Sequence, residues 1–314
     1  MTTINQISPA RTFKEYLGIV LRGFLMGASD VVPGVSGGTM AFILGIYEEL
    51  IDAIKSIDFT VFRLILSLKF KEALDIVPWK FLLSVLTGIL LAIFSLAKGL
   101  EWLLENKPVL LWSFFFGLVL ASVLMVSKRI TRWHFGTVAA VLLAALGAYW
   151  LVGLVPTETP TAPWFIFLSG AIAICAMILP GISGSFILVL LGKYQYILGA
   201  VNRHDFITLG IFAVGAGLGI ITFAQFLSWL FKRYHNLTIA MLTGLMLGSL
   251  RKVWPWKETL SSIVDRHGNL IPVAQVNVLP SAFTAEVWYA IALAVLGFAI
   301  VFAMENIAAR QNSQ

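Results

Sequence analysis

The pattern Pro-Gly-x-Ser-Gly occurs twice in this chain, as Pro33-Gly34-Val35-Ser36-Gly37 and as Pro180-Gly181-Ile182-Ser183-Gly184, each time between two apolar half-length segments. Proline lacks an N–H and restricts the residue before it, and glycine permits positive φ, so a helix breaks at each site. The match extends beyond the turns. An offset of 147 residues pairs Gly23 with Gly170, Leu44 with Leu191, Gly45 with Gly192 and Tyr47 with Tyr194. Further on, an offset of 127 pairs Trp102 with Trp229, Gly117 with Gly244, Leu118 with Leu245 and Ser122 with Ser249. One unit has been duplicated, and the change of offset places extra sequence in the first copy, with the lysine-rich stretch from Phe59 to Pro78 as the candidate. Gly/Pro-interrupted apolar segments at matching places in two halves predict a substrate site built from broken helices.

That prediction requires a membrane, and the composition supplies the argument. With 59% hydrophobic and 12% charged residues, and a mean hydropathy of +0.90, the chain has too little polar surface to cover a soluble globule. Six full spans of the length a bilayer requires can be read at 81–104, 109–127, 135–154, 206–231, 237–250 with its flanks, and 285–303. The turn-bearing segments, about 13–54 and 164–201, read as hairpins of two shorter helices each. A hairpin that dips into the bilayer and one that crosses it twice both return the chain to its starting side; the expected form is re-entrant. With the N-terminus inside, thirteen lysines and arginines fall on the cytoplasmic side against seven outside. This bias favours cytoplasmic N- and C-termini and makes the two copies enter from opposite sides.

The expected fold is therefore an all-α integral membrane protein of two inverted-topology repeats, each a broken hairpin followed by three transmembrane helices. The first repeat covers 1–155, with a cytoplasmic amphipathic segment at about 59–78; the second covers 156–314, with an outer loop at about 254–280. The net charge of +6 reads as a membrane-surface signature, because the bases are dispersed between spans rather than gathered for nucleic acid. No removable signal peptide is expected at the N-terminus. Cys175 is the only cysteine and sits in an apolar run, which predicts a packed thiol. His134, His204, His235 and His267 lack metal-ligand spacing, so no metal or other cofactor is expected.

Ser36 and Ser183 stand where N-caps belong, so each following half-helix would direct unpaired N–H groups and its positive end at the turn. An anionic group such as phosphate or carboxylate is the ligand this predicts. The expected headgroup contacts are Arg22, Pro33, Gly34, Ser36, Gly37, Gly38 and Thr39 from the first copy, and Pro180, Gly181, Ser183, Gly184 and Ser185 from the second. Charges within spans are costly and usually functional. Arg22 and Asp30 lie eight residues apart on one helical face and could pair; their counterparts are Ser169 and Met177. Asp30, Glu48, Glu49 and Lys193 are the candidates for coupling or gating. The alternative role for the repeated turns is close helix packing alone.

The run Gly27-Ala28-Ser29-Asp30-Val31-Val32-Pro33-Gly34-Val35-Ser36-Gly37-Gly38-Thr39, followed by Gly45-Ile46-Tyr47-Glu48, resembles the signature of a bacterial family once known only as a domain of unknown function, which includes the PopT-type polyprenyl-phosphate translocases. Leu179-Pro180-Gly181-Ile182-Ser183-Gly184-Ser185 is similar to the family's second turn, and the likeness extends over essentially the whole chain. The resemblance implies a flippase that returns undecaprenyl phosphate from the outer to the cytoplasmic leaflet of the bacterial inner membrane, with that lipid and the surrounding membrane lipids as partners and a homo-oligomer left open. Integral undecaprenyl-pyrophosphate phosphatases look similar in plan, but carry an arginine in the turn where this chain has Gly37 and Gly184. Their acidic pair is also missing from the hairpins; Glu48 and Asp52 have its spacing but follow the turn. Without a cation to steady a transferring phosphoryl group, hydrolysis is the weaker reading. A transporter or channel for a small soluble anion is the other alternative.

Overall fold

The computed structural model describes residues 11–31, 35–264 and 270–311. Helix α1 (Phe13–Asp30) starts at a capping box, in which the Thr12 hydroxyl accepts from the Glu15 N–H while the Glu15 carboxylate accepts from the Thr12 N–H. The chain then breaks at the first turn and continues as α2 (Gly37–Ile43) and α3 (Tyr47–Lys55). In the second copy the same series is α9 (Pro163–Ile178), α10 (Gly184–Leu190) and α11 (Tyr194–Asn202). Each hairpin thus has three helices, not the expected two. The extra bend is made by Gly45 (φ 71°) and Gly192 (φ 62°), in the left-handed region where glycine carries no Cβ penalty. Between α10 and α11 the chain bends by 103°.

After the first hairpin, α4 (Phe59–Leu66) and α5 (Phe70–Ile76) occupy the lysine-rich insertion. Asp58 caps α4 by accepting from the Thr60 and Val61 amides, while Phe59, Leu66 and Leu68 are largely exposed. The second copy makes the same connection with only the short link before Asp205, which caps the next helix by accepting from the Thr208 N–H. Helices α6 (Trp79–Asn106), α7 (Pro108–Ser127) and α8 (Phe135–Leu151) complete the first copy; α12 (Phe206–Val253) and α13 (Ala285–Gln311) complete the helices of the second. At 48 residues, α12 would run roughly 72 Å if unbroken, far beyond a bilayer of about 30 Å. Tyr234 (φ −135°, ψ 50°) breaks it, with the geometry of Lys107 (φ −139°, ψ 49°) between α6 and α7. Both halves coincide with spans read from the sequence. Among the described residues α6, α7, α12 and α13 are long and apolar enough to span by themselves, and α8 falls just short at 17 residues.

Small residues set how closely these helices approach. A Cβ at Gly23 or Gly27 of α1 would overlap the α6 backbone at Val85 or Ile89. In the second copy, Gly215 and Gly219 of α12 fit as closely against Phe167 and Ala171 of α9. Gly117 of α7 packs on α13 at Ala294, as Gly244 of α12 packs on α8 at Val141. Van der Waals contact between close backbones is the main source of helix association where lipid is as apolar as the side chains. The principal core gathers Met26, Phe42, Ile46, Tyr47, Leu227, Leu242 and Met246, so α2 and α3 lie inside the bundle against α12.

The connections fall at two ends. One holds the Arg11–Glu49 pair, Thr131 bonded to Asn236, and Asp52 with Ser228 and Lys232. The other holds Arg251 bonded to the Tyr149 carbonyl and Trp254 bonded to the Val278 carbonyl. The expected outer loop is in fact an antiparallel β-hairpin, β1 (Lys257–Val264) and β2 (Leu270–Asn277), running from a Lys257–Asn277 pair toward its tip.

Candidate functional site

The two repeated turns meet inside the bundle. Ser36 has extended backbone (φ −117°, ψ 127°) as the N-cap of α2; its hydroxyl accepts from the Gly38 N–H at 3.2 Å. The same hydroxyl donates across to the Leu179 carbonyl at 3.1 Å. Thr39 Oγ1 accepts from the Gly181 N–H at 2.8 Å, and the Tyr47 O–H donates to the Ile178 carbonyl at 3.2 Å. Gly38 sits so close to the Ile178 carbonyl that a Cβ would overlap it. Ser36 and Thr39, expected as headgroup donors, therefore join one turn to the other. Tyr47, noticed in the sequence only as a repeated position, is a third member of that staple. Its partner in the other copy, Tyr194, is 40% exposed, so the repeat gave no signal for this role. Pro33 and Gly34 lie outside the described residues.

The two helix ends differ. The Asp30 carboxylate accepts from the Gly37 N–H at 2.7 Å, so a protein anion already occupies the start of α2. This corrects the expectation that both ends present open donors. Across the interface, Ser183 has the corresponding backbone (φ −102°, ψ 130°) but its side chain caps nothing. Its hydroxyl instead lies 2.8 Å from that of Ser185, and Met177, with no acceptor oxygen, stands where the first copy has Asp30 and packs against Gly184. Gly181 adopts φ 88° and lies against Ser249 and Met246 of α12. A short helix of seven residues contributes little dipole, but uncapped N–H groups beside two hydroxyls form a polar patch suited to an anion.

The remaining candidates are scattered. Arg22 is exposed on α1 and forms no ion pair among the described residues; the expected partner, Asp30, is bonded to Gly37 instead. Glu48 and Glu49 open α3 rather than closing the preceding helix. Glu49 makes a bidentate pair with Arg11 at 2.6 and 2.8 Å, while Glu48 is exposed and borders a small cavity with Asp52, Ser228 and Lys232. Lys193, expected near the surface, is 2% exposed. Its ammonium donates to the Thr159 carbonyl at 2.7 Å and lies over the Phe165 and Tyr196 rings, tying the preceding loop to the second hairpin. Cys175 packs in the membrane body near the Gly219 carbonyl. No group of His, Cys, Asp or Glu fit to hold a metal occurs among the described residues.

An apolar, multi-pass helical body with two stapled broken hairpins at its centre defines the class, an integral membrane protein with a buried, duplicated polar site. The chain belongs to the undecaprenyl phosphate translocase-like family, which it matches over residues 26–271. It is 44% identical over 269 residues to the polyprenyl-phosphate transporter of Vibrio cholerae, covering 86% of this chain and 87% of that protein. To the polyprenyl-phosphate transporter of Staphylococcus aureus it is 32% identical over 262 residues, 76% of this chain and 87% of the relative. No solved structure gives a match.

Proposed function

We propose that this protein is a translocase that returns undecaprenyl phosphate from the outer to the cytoplasmic leaflet of a bacterial inner membrane, without cleaving it. The observation that carries the reading is the meeting of two broken hairpins inside an apolar bundle, joined by the Ser36–Leu179 and Thr39–Gly181 hydrogen bonds. Such a centre places polar backbone at membrane depth, where it is tolerated only within protein or against a wet cavity. The undecaprenyl phosphate translocase-like family and the two polyprenyl-phosphate transporters that this chain resembles support this choice of lipid.

In this reading the phosphate engages the open side of the site, with Pro180, Gly181, Ser183, Gly184 and Ser185 around it. Ser36, Gly37, Gly38 and Thr39 form the opposing wall. Arg22 meets a headgroup arriving from the lipid face of α1. In this reading the repeats are inverted, which is supported by α1 beginning at the end that holds Arg11 and Glu49 while the loop leading into α9 is tied to Lys193 at the other end. Rocking of one repeat on the other, with the N- and C-termini cytoplasmic, then gives alternating access. Asp30 is the coupling group, since its release of the Gly37 amide would open the first helix end; Glu48 and Glu49 have secondary parts.

The test is leaflet-to-leaflet movement of fluorescent undecaprenyl phosphate in proteoliposomes of Ser183→Ala/Ser185→Ala and of Arg22→Ala. Loss of movement with retained melting temperature is expected, and wild-type movement in both variants would overturn the site. For coupling, Asp30→Asn should flatten the dependence of transport on an imposed pH gradient. An unchanged dependence would remove Asp30 from that role.

A further inference from the structure

A sizeable cavity lies away from the turns, beneath the β-hairpin at the end of the bundle opposite the Arg11–Glu49 pair. It encloses about 1010 Å³ between the α6–α7 junction, the end of α12 and the start of α13. Lys252 and Lys257 line it, and both are half-buried. The Lys257 ammonium sits 4.3 Å from the centre of the Trp112 ring and donates to the Lys252 carbonyl at 2.6 Å. The Lys252 ammonium lies 4.7 Å from the centre of the Phe186 ring. Neither forms an ion pair among the described residues; the carboxylates bordering the cavity, Glu258 and Glu286, are exposed to solvent. Two cations withdrawn from water and held by rings and a carbonyl are incompletely compensated, and an anion between them would complete the set.

A second, apolar groove of about 300 Å³ runs between α7 and α13, walled by Phe116, Leu120, Val295 and Phe298. Pro255 and Trp256 belong to both spaces, so the charged cavity and the groove adjoin. Lys252 links the cavity to the central site. Phe186, beneath Lys252, follows Ser185 in α10, and Ser249, one turn before Lys252 on α12, touches Gly181.

We infer that this end of the protein carries a docking site for an isoprenoid phosphate, separate from the paired turns, with the phosphate between Lys252 and Lys257 and the prenyl chain in the α7–α13 groove. The inference rests on the proposed lipid substrate and adds the place where that lipid is captured before it reaches Ser183 and Ser185. A cavity of cations alone would take free phosphate as readily; the adjoining groove selects the lipid form.

Farnesyl phosphate is a soluble probe of both features. Binding to the detergent-purified full chain can be followed by tryptophan fluorescence, because Trp112, Trp254 and Trp256 border the two spaces. Saturable quenching by farnesyl phosphate is expected, with none by farnesol or inorganic phosphate at equal concentration. Lys252→Gln/Lys257→Gln should weaken it at least tenfold, and Val295→Trp, which fills the groove from an exposed position, should do so without removing a charge. Ser183→Ala/Ser185→Ala should leave this binding intact while abolishing transport. Equal quenching by inorganic phosphate, or wild-type affinity in both the lysine and groove variants, would overturn the docking site even if the protein transports the lipid. Should the lysine variant not fold, Val295→Trp alone decides the matter. Absence of transport by folded wild-type protein would instead refute the proposed function.

Discussion

At the scale of single residues, the site depends on a few buried hydrogen bonds whose loss can be predicted. Thr39→Val keeps the shape but leaves the Gly181 N–H without its acceptor, and an unmet buried donor costs about 1–3 kcal/mol. A lowered melting temperature and slowed transport should result, and an unchanged melting curve would mean that the bond does not hold the turns. Gly38→Ala should be worse, because its Cβ would overlap the Ile178 carbonyl and neither backbone can yield easily. By contrast, Gly210→Ala in α12 meets open space and should stabilise the helix by about 0.5–1 kcal/mol; thermal unfolding in detergent distinguishes the two. Lys257 gives a pH signature. Burial, together with the nearby charge of Lys252, lowers its ammonium from the ordinary 10.5 to about 7. Between those values the unfolded chain binds a proton that the folded chain does not, so Lys257 makes stability rise with pH across that window. Melting temperatures from pH 7 to 10 should rise less steeply in Lys257→Met than in the wild type.

At the scale of elements, the duplication is legible in the sequence because backbone breaks have chemical signatures. The paired Pro-Gly turns, the constant offsets and the lysine-rich insertion correspond to helix ends, to the equal lengths of α2 and α10 and of α3 and α11, and to α4–α5. The third helix of each hairpin is not legible in the sequence, although Gly45 and Gly192 stand at matching offsets. A lone glycine in an apolar run reads equally well as helix packing, and only its positive φ makes it a bend. Replacing either with alanine should cost about 1–2 kcal/mol and misplace α3 or α11; similar melting temperatures would contradict that account. The segment from Trp254 to Pro280 reads as a loop because it holds three prolines, Gly268 and mixed charge, and the strand register is itself irregular between Thr259 and Ser262. Side-chain partners are harder still to read. Helical spacing suggested Arg22 for Asp30, but the chain folds back and offers Asp30 a nearer amide at Gly37. Lys193 looked interfacial because sequence does not reveal the loop carbonyl that receives its charge.

At the scale of the whole molecule, the two copies differ where function would require it. One turn is capped by its own carboxylate, the other has no side-chain cap, and Lys252 of the charged cavity beneath the β-hairpin lies over Phe186 of the helix that follows the uncapped turn. The exposed apolar faces of α4 and α5 belong to the opposite copy, where they suit the surface of a bilayer. A lipid phosphate captured at one end and released at the other would follow this asymmetry. The most direct measurement is to reconstitute the wild-type chain in liposomes and follow fluorescent undecaprenyl phosphate between leaflets, with phosphate release from undecaprenyl pyrophosphate read in parallel. Accelerated movement with no phosphate released is the predicted result; phosphate release, or folded protein that leaves the lipid in its original leaflet, would contradict the account.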